Sequence, residues 1–172
     1  MAAVSELLVQ TTWGPIRLRA ADGRLTQCDL PLVKNMPVRP LRVTGHTVKS
    51  DSAADRRVLQ AGLQFVRGAL QGRQGRRPPL HSGTKAPFLR AAWKAMERIP
   101  AGATCTYAEL AARAGRPRAV RAAGQACARN PLPLFVPCHR VLGSGGVLGG
   151  FSGGLAWKVC LLERERAGRS AR

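Results

Sequence analysis

The stretch TYAELAARAGRPRAVRAAGQACAR, residues 106–129, decides how the C-terminal half of this chain folds. Thr106 followed three residues later by Glu109 is a capping box, in which hydroxyl and carboxylate each satisfy a free backbone N–H and start a helix. Gly115 ends that helix, because glycine reaches the left-handed conformation without a steric penalty. Pro117 stands near the first turn of a second helix, Arg118 to Arg129, where a missing N–H costs little. Two short helices joined by so tight a turn form a helix-turn-helix. Between Arg118, Arg121 and Arg129 the second helix carries mostly Ala and Gly. Its backbone can therefore approach a groove wall closely while the arginines reach phosphates or enter a base stack. The same composition also suits an alanine-rich core helix with its arginines in water.

Working toward the N-terminus, Thr84 caps a preceding helix on which Phe88, Ala92, Ala95 and Ile99 align, flanked by Leu89, Trp93 and Met96. Pro100-Ala101-Gly102 stops it. Before it, RQGRRPPLHSGT (residues 73–84) reads as a Gly, Pro and basic linker, dividing the chain into residues 1–84 and 85–172. DSAADRRVLQAGLQFVRGALQG (residues 51–72) sets Val58, Leu59, Leu63, Val66 and Leu70 on one helix face. Residues 31–50 hold several prolines and no sustained period. Residues 4–30 read as strands, with Asp22-Gly23 as a hairpin turn.

The formal charge of +19 favours polyanions, nucleic acid above all; an anionic membrane surface or an Arg-rich proteome would also account for it. With 45% hydrophobic and 22% charged residues the chain reads as globular. MAAVSELLVQTTWG lacks the pattern of a secretory signal, and no stretch is apolar enough to span a bilayer. The expected location is cytoplasmic in a prokaryote or nuclear in a eukaryote, away from membranes. The five cysteines are widely spaced without a C-x-x-C pair, which signals neither a disulfide framework nor a zinc ribbon.

Beyond the second helix lies NPLPLFVPCHRVLGSGGVLGGFSGGLAWK, residues 130–158. Taken as a dipeptide, Cys138-His139 is compatible with an inert buried cysteine, and adjacent residues rarely bind one metal ion. An activated thiolate is the third reading. Pro131, Pro133 and Pro137 stiffen the approach, the glycines allow a backbone to line a pocket, and His139 and Arg140 would lower the pKa of the thiol. A histidine acting as base needs an orienting acid. On the last helix, LAWKVCLLERERAG (residues 155–168), Glu163 and Glu165 are the candidates.

Asn130-Pro131, Pro137-Cys138-His139-Arg140-Val141, Gly149-Gly150-Phe151-Ser152-Gly153-Gly154 and LLERE together resemble the O6-alkylguanine-DNA alkyltransferases, from about Gly83 to Glu165. WGPIRLRAADGRL (residues 13–25) is similar to the opening hairpin of that family, and GTKAPFLRAAW (residues 83–93) to its entry into the second domain. The resemblance implies an α+β fold: a small antiparallel sheet with a helix, RNase H-like, followed by a helical domain with a winged-helix-like helix-turn-helix. It implies direct DNA repair, with irreversible transfer of the alkyl group from O6-alkylguanine, and from O4-alkylthymine, in flipped-out nucleotides of duplex DNA to Cys138. Each molecule would act once.

By the same resemblance His139 is the base acting through a water, Glu165 lies hydrogen-bonded behind it, Asn130 braces the segment before the cysteine, and Tyr107 donates a proton toward the departing guanine. Arg121 would enter the base stack, with Ala122 and Gly124 against the minor groove and Arg116 and Ser144 as further DNA contacts. Val141, Phe151 and Ser152 would belong to the substrate pocket. Phe151 stands where many members have tyrosine, so its ring can still stack on the guanine but has no hydroxyl to offer it. Neither cofactor nor metal is expected: Cys28 does not recreate the zinc cluster of some members, and Cys127 and Cys160 read as small core residues. The expected partner is double-stranded DNA containing O6-alkylguanine, bound by a protein that is monomeric in solution; whether it binds DNA cooperatively is left open by the sequence. The alternative is a non-enzymatic alkyltransferase-like lesion binder, a group that typically has tryptophan where Cys138 stands.

Overall fold

Alternation of apolar and polar side chains shapes the first half. The computed structural model describes residues 5–37, 39–81 and 83–170. The strand expectation at Val4, Val38 in the proline-rich stretch, Ser82 of the linker and the ends of the expected division at 1–3 and 171–172 lie outside the described residues. Strands β1 (Ser5–Thr11), β2 (Ile16–Ala21) and β3 (Arg24–Asp29) form a meander. Leu7, Val9, Ile16, Leu18 and Leu25 point to one buried face. Asp22 and Gly23 turn between β2 and β3 with φ of 52° and 68°, the doubly left-handed pair that matches the twist of a hairpin.

A fourth strand, β4 (Val43–Lys49), pairs antiparallel with β1 and gives the order β3-β2-β1-β4. The sequence predicts no regular structure in this stretch. None of its side chains is fully buried, Gly45 interrupts it, and the two apolar residues that pack on the core, Val43 and Val48, are five positions apart, so no alternation marks an edge strand.

Helix α1 (Ala53–Ala69) covers the buried face of the sheet with the expected stripe. Ser52 caps it, and the Asp55 carboxylate in its first turn accepts the Gly23 N–H at 2.7 Å, tying helix to hairpin. Gly62 faces Leu18 and Leu25 so closely that a methyl group there would press on the sheet, which fixes the packing distance.

Helix α2 (Pro87–Glu97) starts at Pro87 after an N-cap at Ala86. Thr84, expected as its cap, instead accepts the Ala86 N–H at 3.2 Å within the turn before the helix. Helix α3 (Tyr107–Arg113) has the capping box: Thr106 Oγ1 accepts the Glu109 N–H at 3.2 Å, and the Glu109 carboxylate accepts the Thr106 N–H at 2.6 Å. Helix α4 (Val120–Ala128) begins later than Arg118. Pro117 and Arg118 belong to the turn between the helices, which the Ala119 N–H closes onto the Arg116 carbonyl at 2.9 Å; Ala119 itself is not helical.

Two residues of β5 (Cys105–Thr106) pair in parallel with β6 (Val141–Leu142), setting the start of α3 beside the turn that carries the cysteine. Helix α5 (Leu155–Ser170) closes the fold. The halves share buried surface. Phe65 of α1 stacks on Phe135 with centroids 4.8 Å apart, the Cys28 N–H donates to the Pro131 carbonyl at 2.8 Å, and Trp157 Nε1 donates to the Pro31 carbonyl at 2.9 Å. Gly154 has φ of 94° and passes so close to the Val33 carbonyl that no side chain fits. The α+β architecture of a sheet with its helix, followed by a helical part, is therefore the observed one.

Candidate active site

Cys138, His139 and Arg140 form a single 3-10 turn between the proline-rich segment and β6, and all three are buried. The segment before it departs from regular structure, with Leu134 buried at φ of 75°, a conformation that a branched residue takes only under constraint. Asn130 supplies the constraint. Its Nδ2 donates to the Val136 carbonyl at 2.7 Å and to Cys138 Sγ at 3.1 Å, and its Oδ1 accepts the Leu132 N–H at 3.0 Å. One buried amide thus holds both ends of the loop and touches the sulfur.

On the other side of the turn, His139 Nε2 and Glu165 Oε1 are 2.8 Å apart. Arg140 Nη2 donates to the same oxygen at 2.7 Å, Arg140 Nε donates to Oε2 at 3.0 Å, and the Gly102 N–H donates to Oε2 at 3.0 Å. Burial on its own would raise the pKa of Glu165, but the hydrogen bonds and charges of His139 and Arg140 outweigh it and hold the carboxyl at about 2. Burial pushes the histidine the other way, below its ordinary value, with Glu165 opposing. The ring is consistently read as neutral, with Nε2–H donating to Glu165. That leaves Nδ1 as an acceptor, and it makes no hydrogen bond to protein. Glu163 is exposed and takes no part.

The thiol does not behave as the sequence suggests. Burial pushes Cys138 up to about 11, and the Asn130 hydrogen bond and the charge of Lys158 only partly offset it. Arg140, expected to lower the pKa of the thiol, is engaged by the Glu165 carboxylate and the Ile99 carbonyl. The resting sulfur is therefore protonated, and a base is needed to activate it.

Above the sulfur lies a cavity of about 310 Å³ lined by Tyr107, Gly124, Cys127, Ala128, Cys138, Gly150, Phe151 and Ser152. The fold thus brings together Cys138, Tyr107, Phe151, Ser152 and Gly124 from separate stretches of sequence. Phe151 meets the His139 ring edge-on at 6.1 Å between centroids. Tyr107 is half-buried with its pKa raised, chiefly by burial, so its hydroxyl keeps its proton. Gly149 packs on that hydroxyl so tightly that a side chain would collide with it.

Val141, expected in this pocket, is fully buried in β6, where pairing with Cys105 turns it into the core and out of the cavity lining. Cys127, read as a small core residue, is half-buried and lines the cavity, because α4 presents that face to the sulfur. Cys160 is a buried core residue. Arg116, Arg121 and Ser144 are exposed and Ala122 is half-buried, none of them lining the cavity. Arg116 precedes α4 and Arg121 stands in its first turn, while Ser144 stands in a glycine-rich 3-10 turn, Ser144–Gly146. Lys158, which no motif in the sequence marks, is fully buried, with Nζ donating to the Val141 and Gly149 carbonyls. It stands seven residues before Glu165 on α5, two helical turns along the same face; once Glu165 is turned inward, that spacing turns Lys158 inward too. Among the described residues no helix is long and apolar enough to cross a membrane, and no group of three or more His, Cys, Asp and Glu could hold a metal ion.

Residues 87–167 match the family described as "6-O-methylguanine DNA methyltransferase, DNA binding domain". A constitutive methylated-DNA--protein-cysteine methyltransferase of Bacillus subtilis is 52% identical over 81 residues, which are 46% of this chain and 49% of that protein. A methylated-DNA--protein-cysteine methyltransferase of Methanosarcina barkeri is 50% identical over 78 residues, 45% of this chain and 49% of that protein. The match thus spans about half the length of these curated relatives. A crystal structure of Mycobacterium tuberculosis OGT in complex with DNA superposes with a TM-score of 0.73 at 29% identity, covering 93% of this chain and 92% of that one.

Proposed function

We propose, from the match of residues 87–167 to the DNA-binding domain of the 6-O-methylguanine DNA methyltransferases, that the protein repairs alkylated DNA by transferring an alkyl group to Cys138. One observation carries the reading: a buried thiol faces a cavity wide enough for a base, and beside it is a neutral histidine whose free nitrogen is unclaimed and whose other nitrogen is held by a buried carboxylate.

The chemistry follows from those groups. The thiol proton passes through a water to His139 Nδ1, and Glu165 stabilises the imidazolium that forms. The thiolate attacks the alkyl carbon, so that an S–C bond forms as the C–O6 bond breaks. The bonding electrons leave with the guanine, which takes a proton from the Tyr107 hydroxyl; Tyr107 is reprotonated from the solvent side as His139 gives up its proton. The net change is one alkyl group moved to sulfur and one proton moved to guanine. A thioether does not hydrolyse under these conditions, so each molecule reacts once.

Duplex DNA is the partner in this reading. Arg121, Arg116, Ser144, Ala122 and Gly124 form the contact surface of the helix-turn-helix side, and Arg121 fills the stack that the lesion vacates. Rotating the nucleotide outward costs a few kcal/mol of stacking, less for a lesion that pairs poorly. O4-alkylthymine would enter by the same route. Phe151 offers its face to the base without a hydroxyl, and Ser152 stands next to it at the wall. Residues up to 84 are read as a lobe buttressing the alkyl-acceptor domain of residues 85–172, through Phe65, Pro31 and Val33.

The test is stoichiometry. Protein mixed with excess duplex carrying labelled O6-methylguanine should take up one methyl group per molecule and then stop, and Cys138→Ser should take up none. Continued turnover, or lesion binding with no uptake, would overturn the proposal.

A further inference from the structure

Lys158 has no task in the chemistry above, although it is a buried charged residue close to the cysteine turn. Its side chain is fully buried. Nζ donates to the Val141 carbonyl at 2.8 Å and to the Gly149 carbonyl at 3.3 Å, both neutral acceptors. The nearest acid along its inward face, Glu165, is held by Arg140 and His139. An ammonium removed from water without an anionic partner is disfavoured, and burial accordingly lowers its pKa. The titratable groups that act on it are the thiols of Cys138 on the 3-10 turn and Cys127 on α4, and its own charge helps to keep His139 below its ordinary value. The groups whose charges act between themselves and Cys138 are Lys158 from α5, Cys127 from α4, Tyr107 from α3 and Cys28 from β3, and His139 adjoins it in the chain. Lys158 is the cation among them while His139 is neutral.

The two acceptors have their own meaning. Val141 follows the Cys138–Arg140 turn directly, and Gly149 packs against the Tyr107 hydroxyl beside Gly150 of the cavity wall. A single ammonium therefore bonds the backbone at both ends of the loop 142–148.

We infer that Lys158 is a positioning residue for the nucleophile: its ammonium is the counter-charge of the Cys138 thiolate, and its bonds to Val141 and Gly149 hold the cysteine turn against the glycine wall of the pocket. This rests on the reading of Cys138 as the alkyl acceptor. Loss of the thiol proton gives the lone buried cation a negative charge to act on, so the lysine favours ionisation in the place where burial opposes it.

Lys158→Met keeps the stem and removes the charge. In the free protein, labelling of the Cys138 peptide by iodoacetamide across a pH series reads the thiol directly, without DNA. Its midpoint should rise by about one unit relative to wild type. Transfer from O6-methylguanine should fall about tenfold near neutral pH and recover as pH rises. Lys158→Arg, which keeps the charge, should return the midpoint toward the wild-type value. An unmoved midpoint with transfer reduced equally at every pH would overturn the inference. If wild type transfers nothing, the proposed function fails while the labelling midpoint still decides the role of Lys158. Should Lys158→Met not fold, the Nζ resonance of Lys158 in lysine-labelled wild type and Cys138→Ala decides. The amine should lose its proton at lower pH without the thiol; identical titrations would refute the pairing.

Discussion

Replacing Glu165 by Gln keeps the outline of the side chain and removes the single negative charge from the cluster that orients His139. In the wild type this carboxyl sits at about 2, against an ordinary value of 4.5. That difference of roughly 2.5 units corresponds to about 3 kcal/mol of folding stability. The folded-state pKa lies below the unfolded one, so the contribution is fully present above about pH 4.5 and is lost as pH falls toward 2. The substitution also leaves the Arg140 guanidinium buried without a counter-charge, and breaking a buried pair costs about 3–5 kcal/mol. Urea denaturation at pH 7 should therefore show the variant less stable by about 3 kcal/mol, which at a slope of about 2 kcal/mol/M lowers the midpoint by about 1.5 M. The gap between wild type and variant should narrow below pH 4.5, because protonation removes from the wild type what the mutation removed from the variant. A variant within about 0.5 kcal/mol of wild type at pH 7, or a gap that persists undiminished to acid pH, would show that the Glu165 charge does not stabilise the fold.

Asn130→Ala removes the donor to Cys138 Sγ and the bonds that hold the bend at Leu134, so stability should fall by about 2–3 kcal/mol in urea melts and the iodoacetamide midpoint of Cys138 should move still higher. Gly149→Ala drives a methyl group into the Tyr107 hydroxyl; Tm should drop, transfer should slow by about tenfold or more, and adding Tyr107→Phe should recover Tm without recovering the rate. Arg121→Ala touches an exposed residue, so stability should change by less than about 0.5 kcal/mol, while duplex affinity weakens and the salt dependence of binding falls by about one ion.

Local chemistry explains which features could be read from the chain. The capping box at Thr106 and Glu109, the Asp22-Gly23 turn and the apolar stripe of α1 involve residues that specify their own conformation, and each stands where its sequence indicates. Strand β4 does not announce itself, because an edge strand with no fully buried side chain needs no apolar period. At the site, the approach of Asn130, Cys138, His139 and Glu165 follows a resemblance in residue order. What that order does not contain is depth. The position of Arg140 beside Cys138 suggests a cation for the sulfur, yet the 3-10 turn directs its side chain to Glu165 on the far side. The cation whose charge acts on the sulfur is instead Lys158 on α5, while burial keeps the thiol protonated at rest. Cys127 likewise changes from core filler to cavity wall because the rotation of α4 about its axis is set by packing against α2 and α3, which its Ala and Gly composition leaves undetermined.

Transfer of an alkyl group from DNA to Cys138 is open to direct measurement by incubation with a duplex carrying O6-methylguanine, proteolysis and weighing of the peptide that contains Cys138. A mass gain of one methyl group on that cysteine, absent in Cys138→Ser and unaccompanied by gain on Cys127, is the predicted result. An unmodified Cys138 in protein that nonetheless binds the lesion tightly would contradict it.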